Sequence, residues 1–223
     1  MKILNLMGKK HNGKTYVSGE LTKSLLNEGY SVYNDTFASE LKKILMNYFN
    51  VKKDDFSNSI KDPDMIKLKI RNMLLNECEK NDEFNELLNN YEEIYETINK
   101  AIQENNFRKL IQYVGTEVFR LNDESFWVNR MKEKILCVGR TNVDFFIISD
   151  CRFINEFEMI SNLNINTFNL LVVREIVKDV DYHQSEVELD RIFKANKHKI
   201  RVFNNCDELK FNSELNAVLK ILS

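Results

Sequence analysis

Ile3-Leu4-Asn5-Leu6-Met7-Gly8-Lys9-Lys10-His11-Asn12-Gly13-Lys14-Thr15 runs from an apolar stretch through a glycine-bounded loop into the start of a helix. Ile3 to Met7 has the length and composition of a buried strand. Residues 14–28 carry apolar or small side chains at Tyr16, Val17, Gly19, Leu21, Leu25 and Leu26, the spacing of a helix, and Gly29 stands where a helix stops. Gly8 to Thr15 matches G-x-x-x-x-G-K-[ST] in the context that pattern requires, a strand before and a helix after. The chain has only six glycines, so two in one loop are informative. They let the backbone curl with successive N–H groups facing an anion. Lys14 then reaches the β and γ phosphates of a nucleotide, the Thr15 hydroxyl suits Mg²⁺, and the helix turns its positive end toward the phosphates. Gly8, Lys10, His11, Asn12, Gly13, Lys14, Thr15 and Tyr16 are the candidate nucleotide-binding residues, His11 through its backbone N–H.

Outward from this loop the chain alternates between strands and helices. Residues 30–34 read as a second strand, and 37–49 as a helix with Phe37, Leu41, Ile44, Leu45 and Tyr48 on one face. Residues 54–138 carry no strand pattern. Pro63 fits a helix first turn, Ile66, Ile70, Met73 and Leu74 recur at helical spacing, and 76–104 is acidic with an apolar stripe. Two more helices are expected at 107–118 and 124–136. Strands follow at 143–149, ending in Asp150, at 168–173, ending in Arg174, and at 199–203. Helices are expected at 155–163, 185–194 and 213–222. The fold class is α/β, a three-layer α/β/α P-loop architecture with a five-stranded parallel sheet. A single domain, 1–223, would carry a large helical insertion, 50–138, between the second and third strands.

Composition narrows the classes. With 32 basic against 34 acidic residues the net charge is −2, which argues against a wholesale nucleic-acid or anionic-membrane binder. No apolar run approaches the roughly 18–20 residues of a bilayer span, and residues 1–7 read as a strand rather than a leader. The four cysteines have no C-x-x-C spacing and there are three histidines, so zinc, a disulfide framework and a His-based metal site are not expected. A cytoplasmic, reducing compartment is the expectation.

Phe145-Phe146-Ile147-Ile148-Ser149-Asp150 puts a carboxylate at the C-terminal end of a buried strand, where a P-loop enzyme holds Mg²⁺. A helix-capping aspartate is the competing reading. Arg152 adds a cation at the same sheet edge, where ligands bind in such folds. The insertion and the polar segment 174–198 are the places for an acceptor site and a lid, with Lys42, Arg71 and Arg120 as the insertion's candidate cations. A phosphate acceptor needs no base, because its oxygens are already ionised at neutral pH (second pKa about 6), but it needs arginines and lysines to offset anion repulsion. A hydroxyl acceptor needs a carboxylate base, for which Asp35 is placed. Composition leaves both open.

Three further segments carry a family likeness: Leu110-Ile111-Gln112-Tyr113-Val114-Gly115-Thr116-Glu117-Val118-Phe119-Arg120 with Asp123 and Phe126-Trp127-Val128; Ile148-Ser149-Asp150-Cys151-Arg152-Phe153-Ile154-Asn155-Glu156; and Asp181-Tyr182-His183-Gln184-Ser185-Glu186. With the P-loop, Thr36-Phe37-Ala38 and Leu41-Lys42, they resemble the bacteriophage-type deoxynucleoside monophosphate kinases over nearly the whole chain. Only 76–105 matches nothing in that pattern. The resemblance implies a P-loop kinase that moves the γ-phosphate of ATP, with Mg²⁺, to a deoxynucleoside 5′-monophosphate. It implies Phe37, Ala38 and Lys42 at the acceptor, where Arg71 is the insertion's further candidate cation, Gln112, Thr116, Arg120 and Trp127 on its base, sugar or phosphate, and Asp150 and Arg152 between the nucleotides. Lys14, Arg120, Arg152 and Arg174 would act in catalysis, Thr15 and Asp150 at the metal, and Arg174 with His183, Ser185 and Glu186 in the lid. The implied partners are ATP and the monophosphate, with no nucleic acid and no membrane; a homodimer is left open.

Phe119 departs from the family's small residue and Ile154 from its proline, and Asn164-Ile165-Asn166 replaces a glycine pair. The first departure bears on the acceptor pocket and hence on base preference. Trp127 at helical spacing also fits a core position, and 191–201 is a basic run that fits a solvated helix end. Two other readings stand beside the kinase of a monophosphate: a P-loop kinase of a hydroxyl acceptor with Asp35 as base, and a nucleotide-binding switch without transferase activity, which lacks an N-K-x-D motif.

Overall fold

The apolar alternation of the first strand is buried on both sides, which already calls for a layer on each face of the sheet. In the computed structural model, residues 1–52, 55–78, 82–174, 184–204 and 207–222 are described, 184–186 and 204 by backbone alone. By packing, the chain forms two units, Met1–Phe37 with Met131–Ser223, and Ala38–Arg130.

The first unit is built on five parallel strands, β1 (Lys2–Met7), β2 (Val32–Asp35), β3 (Phe145–Cys151), β4 (Thr167–Val173) and β5 (Ile200–Asn204), in the spatial order β2-β3-β1-β4-β5. From β1 the chain first moves out to β2, returns to β3, and then crosses to β4 and β5 on the other side. The C-terminal end of β1 is therefore the point where strand order reverses, the position at which open α/β sheets leave a crevice.

Leu4 and Leu6 of β1 pack with Phe145, Ile147, Leu170, Val172 and Phe203 against helix α1 (Lys14–Asn27) and the C-terminal helix, whose Phe211, Leu215, Val218 and Leu222 close that layer. Ile3, Met7, Phe146 and Ile148 on the opposite face are equally buried, so both faces are covered and the unit has three layers. Asn5 also lies on that second face. It is fully buried and its amide donates to Asn169 Oδ1 of the neighbouring strand at 2.9 Å, a polar rung inside the sheet.

Helices α2 (Ala38–Phe49), α3 (Pro63–Glu77), α4 (Asp82–Asn89), α5 (Tyr91–Gln103) and α6 (Phe107–Gln112) make up most of the second unit. Asp62 caps α3 by accepting from Met65 N–H at 3.0 Å, with Pro63 at the first helical position, as the sequence pattern predicts. The acidic stretch forms α4 and α5, whose Phe84, Leu87, Ile94 and Ile98 are buried. α7 (Phe126–Val138) begins in this unit. The first unit adds α8 (Ile154–Ser161), α9 (Gln184–Asn196) and α10 (Glu208–Leu222).

The sequence expectations meet three differences. The expected α-helix at 107–118 is α6 followed by a π turn over Tyr113–Arg120, in which Leu121 N–H bonds back five residues to Thr116 O. Hydrophobic spacing does not distinguish one extra residue per turn from an ordinary helix. The third strand runs on to Cys151, which places Asp150 inside the strand's last turn of the ladder rather than beyond it. α10 starts at 208 instead of 213, because Asp207 accepts from Lys210 N–H at 2.8 Å and so caps the helix earlier.

Candidate active site

In the first unit, Gly8 follows β1 with φ +152°, and a Cβ there would lie 2.6 Å from the Val172 carbonyl oxygen of β4. No side chain fits that approach, which explains glycine at this position. Asn12, 7 % exposed, donates its side-chain amide to the same carbonyl at 3.0 Å. The loop is thus moored to β4, and the Asn12 amide is used for that mooring. Gly13 at φ +81° is the N-cap of α1, and Val17 N–H bonds to its carbonyl at 3.0 Å. A glycine cap supplies no side-chain acceptor, and the first turn carries no acid. The leading amides of α1 keep their positive field for a ligand anion.

Lys14 is 8 % exposed and folds its ammonium onto the carbonyl oxygens of Gly8 at 2.6 Å and Lys9 at 2.8 Å. A buried cation held on the loop's own carbonyls sits beside the amides that would receive phosphate. His11 adopts φ +63° with an exposed side chain, in keeping with a backbone role. Thr15 and Tyr16 are exposed in the first turn of α1, the Tyr16 ring lying 5.1 Å from Phe211. Lys10 is partly buried. Lys9 forms an ion pair with Asp190 of α9 at 2.9 Å.

The strands flanking β1 bring in the other charged groups. Met7 stands opposite Cys151 of β3 and Leu171 of β4. Asp150 and Arg152 therefore leave the sheet on one side of the loop, and Arg174, which is exposed, on the other. Asp150 is half-buried and accepts the Phe37 N–H on Oδ1 at 2.7 Å, tying the start of the β2–α2 connection to β3.

Glu156 is a participant to which sequence reasoning assigned no role. It is 3 % exposed and its Oε2 accepts from Arg152 N–H at 2.9 Å and Phe153 N–H at 3.2 Å. That fixes the backbone just after Asp150. A Glu at the third position of a helix that follows a strand is the signal that could have found it. Glu188 of α9 likewise accepts from Ile154 N–H at 2.9 Å. Burial, with the Glu156 carboxylate adding to it, pushes the Cys151 thiol well above its ordinary range, so it stays an inert neighbour.

Asp35 bears on the hydroxyl-acceptor reading. Its Oδ2 pairs with Lys134 Nζ at 2.7 Å and its Oδ1 accepts Thr36 N–H at 2.7 Å, with Asp35 9 % and Lys134 17 % exposed. Oδ2 holds the end of β2 to α7, while Oδ1 is taken by the neighbouring Thr36 N–H. That is a structural carboxylate rather than a free base.

The second unit carries the remaining candidates. Lys42 on α2 and Arg71 on α3 are exposed, and Ala38 is partly buried. Gln112, Thr116 and Arg120 follow each other at four-residue steps through α6 and the π turn, Gln112 and Thr116 half-buried and Arg120 9 % exposed. The resemblance puts Phe37 at the acceptor and Trp127 on its base, sugar or phosphate, with a core position as the other reading of Trp127; both side chains are buried. Phe37 is 6 % exposed and offers its backbone to Asp150. Trp127 is 5 % exposed and donates its indole N–H to the Gly115 carbonyl at 2.9 Å. Phe119, expected to reshape the pocket, is fully buried against Phe126 and Trp127, at ring distances of 4.6 and 5.3 Å. Of the expected lid residues, 181–183 lie outside the described residues, and Ser185 and Glu186 are described by backbone alone, in α9.

Thr15 and Asp150 offer hard oxygen donors, the chemistry Mg²⁺ prefers. Among the described residues no group of three His, Cys, Asp or Glu is placed to hold a metal ion. No helix among them is long and apolar enough to cross a membrane.

A loop of this kind at the switch point of a parallel sheet, with Asp150 on the adjoining strand, defines the P-loop class of α/β fold. A model of the deoxynucleotide monophosphate kinase family matches residues 56–210, more than half of the chain, and the chain belongs to that family. It is a nucleotide monophosphate kinase that uses ATP. The match begins after Thr15, so the phosphate loop and the family assignment rest on different residues. No curated protein matches the chain. Among solved structures, thymidylate kinase from Ehrlichia chaffeensis is similar at 14% identity, with a TM-score of 0.43, over 100% of this chain and 98% of that one.

Proposed function

We propose that the chain transfers the γ-phosphate of ATP to a deoxynucleoside 5′-monophosphate, giving the diphosphate and ADP. The observation that carries this reading is the buried Lys14 ammonium, held on the Gly8 and Lys9 carbonyls beside the uncapped first turn of α1. Lys14 stabilises charge on the transferred group, and the loop amides bind the β and γ phosphates. Arg152 and Arg174 leave the same sheet edge and act on the phosphates. Gln112, Thr116 and Arg120, with Lys42 and Arg71, take the acceptor. Thr15 and Asp150 hold Mg²⁺, which when bound draws charge from the phosphate oxygens.

A monophosphate acceptor is ionised at neutral pH and asks for no general base. This agrees with an Asp35 whose oxygens are both committed. The test is ADP release from Mg-ATP with each deoxynucleoside monophosphate, each ribonucleoside monophosphate and the parent nucleosides. Stimulation by deoxynucleoside monophosphates, with the matching diphosphate appearing, is the expected result. Stimulation by nucleosides alone would overturn it in favour of a hydroxyl kinase. An ATPase rate indifferent to every acceptor would favour a switch.

A further inference from the structure

The second unit contains a device that the family pattern spells as separate letters and the structure joins into one. The π turn Tyr113–Arg120 holds Gly115, and a Cβ on Gly115 would meet Leu41 Cδ2 at 2.6 Å. Glycine here lets Leu41 of α2 pack onto the backbone of the turn, and a Cβ would push that side chain aside. From the other side, the Trp127 indole donates to the Gly115 carbonyl at 2.9 Å in a buried setting. Asp123 makes the connection short. Its N–H bonds to Phe119 O at 2.9 Å, its side chain accepts from Ser125 N–H at 2.8 Å, and its carbonyl accepts from Phe126 N–H at 3.0 Å. α7 thereby turns back with its first turn against the π turn. Phe119 and Phe126 stack at 4.6 Å and both meet the Trp127 ring edge to face, which leaves the indole little freedom to rotate.

The consequence falls on the row Gln112, Thr116, Arg120. In an α-helix, four residues overshoot one turn by about 40°, so a row at four-residue steps drifts around the helix. In the wider π turn each four-residue step instead falls short of a full turn, so the direction in which Thr116 and Arg120 leave the helix depends on that turn being kept. A π turn is intrinsically poorer than an α turn and persists where packing over-determines it. The geometry points to Trp127 as a positioning residue: its hydrogen bond to Gly115, packed against Leu41, holds the π turn that sets the direction of Thr116 and Arg120, after Gln112, toward the acceptor nucleotide. The inference rests on the proposal that this row binds the acceptor. It places Trp127 behind the site instead of in it.

Trp127→Phe removes the N–H and keeps an aromatic ring in the cluster. Loss of one buried hydrogen bond is expected to raise KM for the deoxynucleoside monophosphate about five- to tenfold, with KM for ATP and kcat within about twofold of wild type. A merely structural tryptophan would lower the melting temperature and leave the acceptor KM where it was, which would overturn the inference. Arg120→Ala separates the two readings. If it raises the acceptor KM and Trp127→Phe does not, positioning by Trp127 fails and the acceptor row stands. If neither raises it, the row itself is misplaced. If only Trp127→Phe raises it, the indole does not act through Arg120 and the inference falls. Should Trp127→Phe not fold, Gly115→Ala tests the same clamp from the α2 side. The expected result is a raised acceptor KM, restored in the Gly115→Ala/Leu41→Ala pair; an unchanged KM in Gly115→Ala would overturn the proposal.

Discussion

The P-loop corner and the π turn both present cationic side chains beside backbone groups, yet they are built in opposite ways. The P-loop is local. Two glycines, one lysine and the start of one helix make it, and Val172 O of β4 anchors it from outside by receiving the Asn12 amide and excluding any Cβ at Gly8. The π turn is assembled from afar. Leu41 comes from α2, Asp123 from the connection, Phe126 and Trp127 from α7, and Phe119 from the turn itself. A motif made of backbone survives as a short string, whereas a device made of side-chain packing depends on which helices meet.

Breaking each region should therefore give different losses. Lys14→Ala removes the buried cation, and kcat should fall by at least about 10²–10³-fold with little change in melting temperature. A steady-state assay beside a thermal melt checks this, and an unchanged rate would detach the loop from the chemistry. Phe119→Ala empties the centre of the aromatic cluster and should cost about 3–5 kcal/mol in urea unfolding. If the midpoint does not move, the π turn is not held by side chains and the contrast between the regions fails.

Asp35→Asn sharpens the comparison at a third place. Removing the charge leaves Lys134 without its partner at a position between buried and exposed, for a loss of about 1–3 kcal/mol in stability. Turnover with a monophosphate should stay within about threefold of wild type. A near-dead enzyme of normal stability would restore Asp35 as a base.

The smallest effect is expected from the cysteines. Burial first, with the Glu77 carboxylate adding to it, pushes the Cys78 thiol up to about 12. The folded state keeps that proton while an unfolded thiol loses it from its ordinary value of 9.0 upward. Because the native state then binds more protons, stability falls as pH rises between those values, by up to about 1.4 kcal/mol per pH unit for one thiol. Urea midpoints taken from pH 8 to 10.5 should slope downward, and less steeply in Cys78→Ala. Equal slopes would show that Cys78 ionises as readily in the fold as outside it.

Much of the fold was legible because strand and helix periods differ. β1, β2, β4 and β5 lie close to the residues that alternation or apolar runs indicated, and the parallel sheet follows from helices standing between them. Helix ends were less legible, since the start of α10 depends on the Asp207 cap rather than on apolar spacing. In the candidate site, Gly8 to Thr15 could be read directly. Asp35 could not, because a carboxylate at a strand end looks alike whether it faces solvent or Lys134. Motif letters carry no direction, so the sequence left Trp127 between pocket and core and did not show that Trp127 and Phe119 pack together, both buried.

By itself, the order of residues determined the P-loop, the five strands and the family, because each rests on neighbours in the chain and on periodicity. Only the tertiary structure decided that Gly115 serves a contact with Leu41, that Trp127 spends its N–H on Gly115, and that Asp35 is an ion-pair partner. Those facts depend on which side chains meet across large separations in sequence. No local pattern encodes such a meeting, because burial and hydrogen-bond partners are properties of the packed chain.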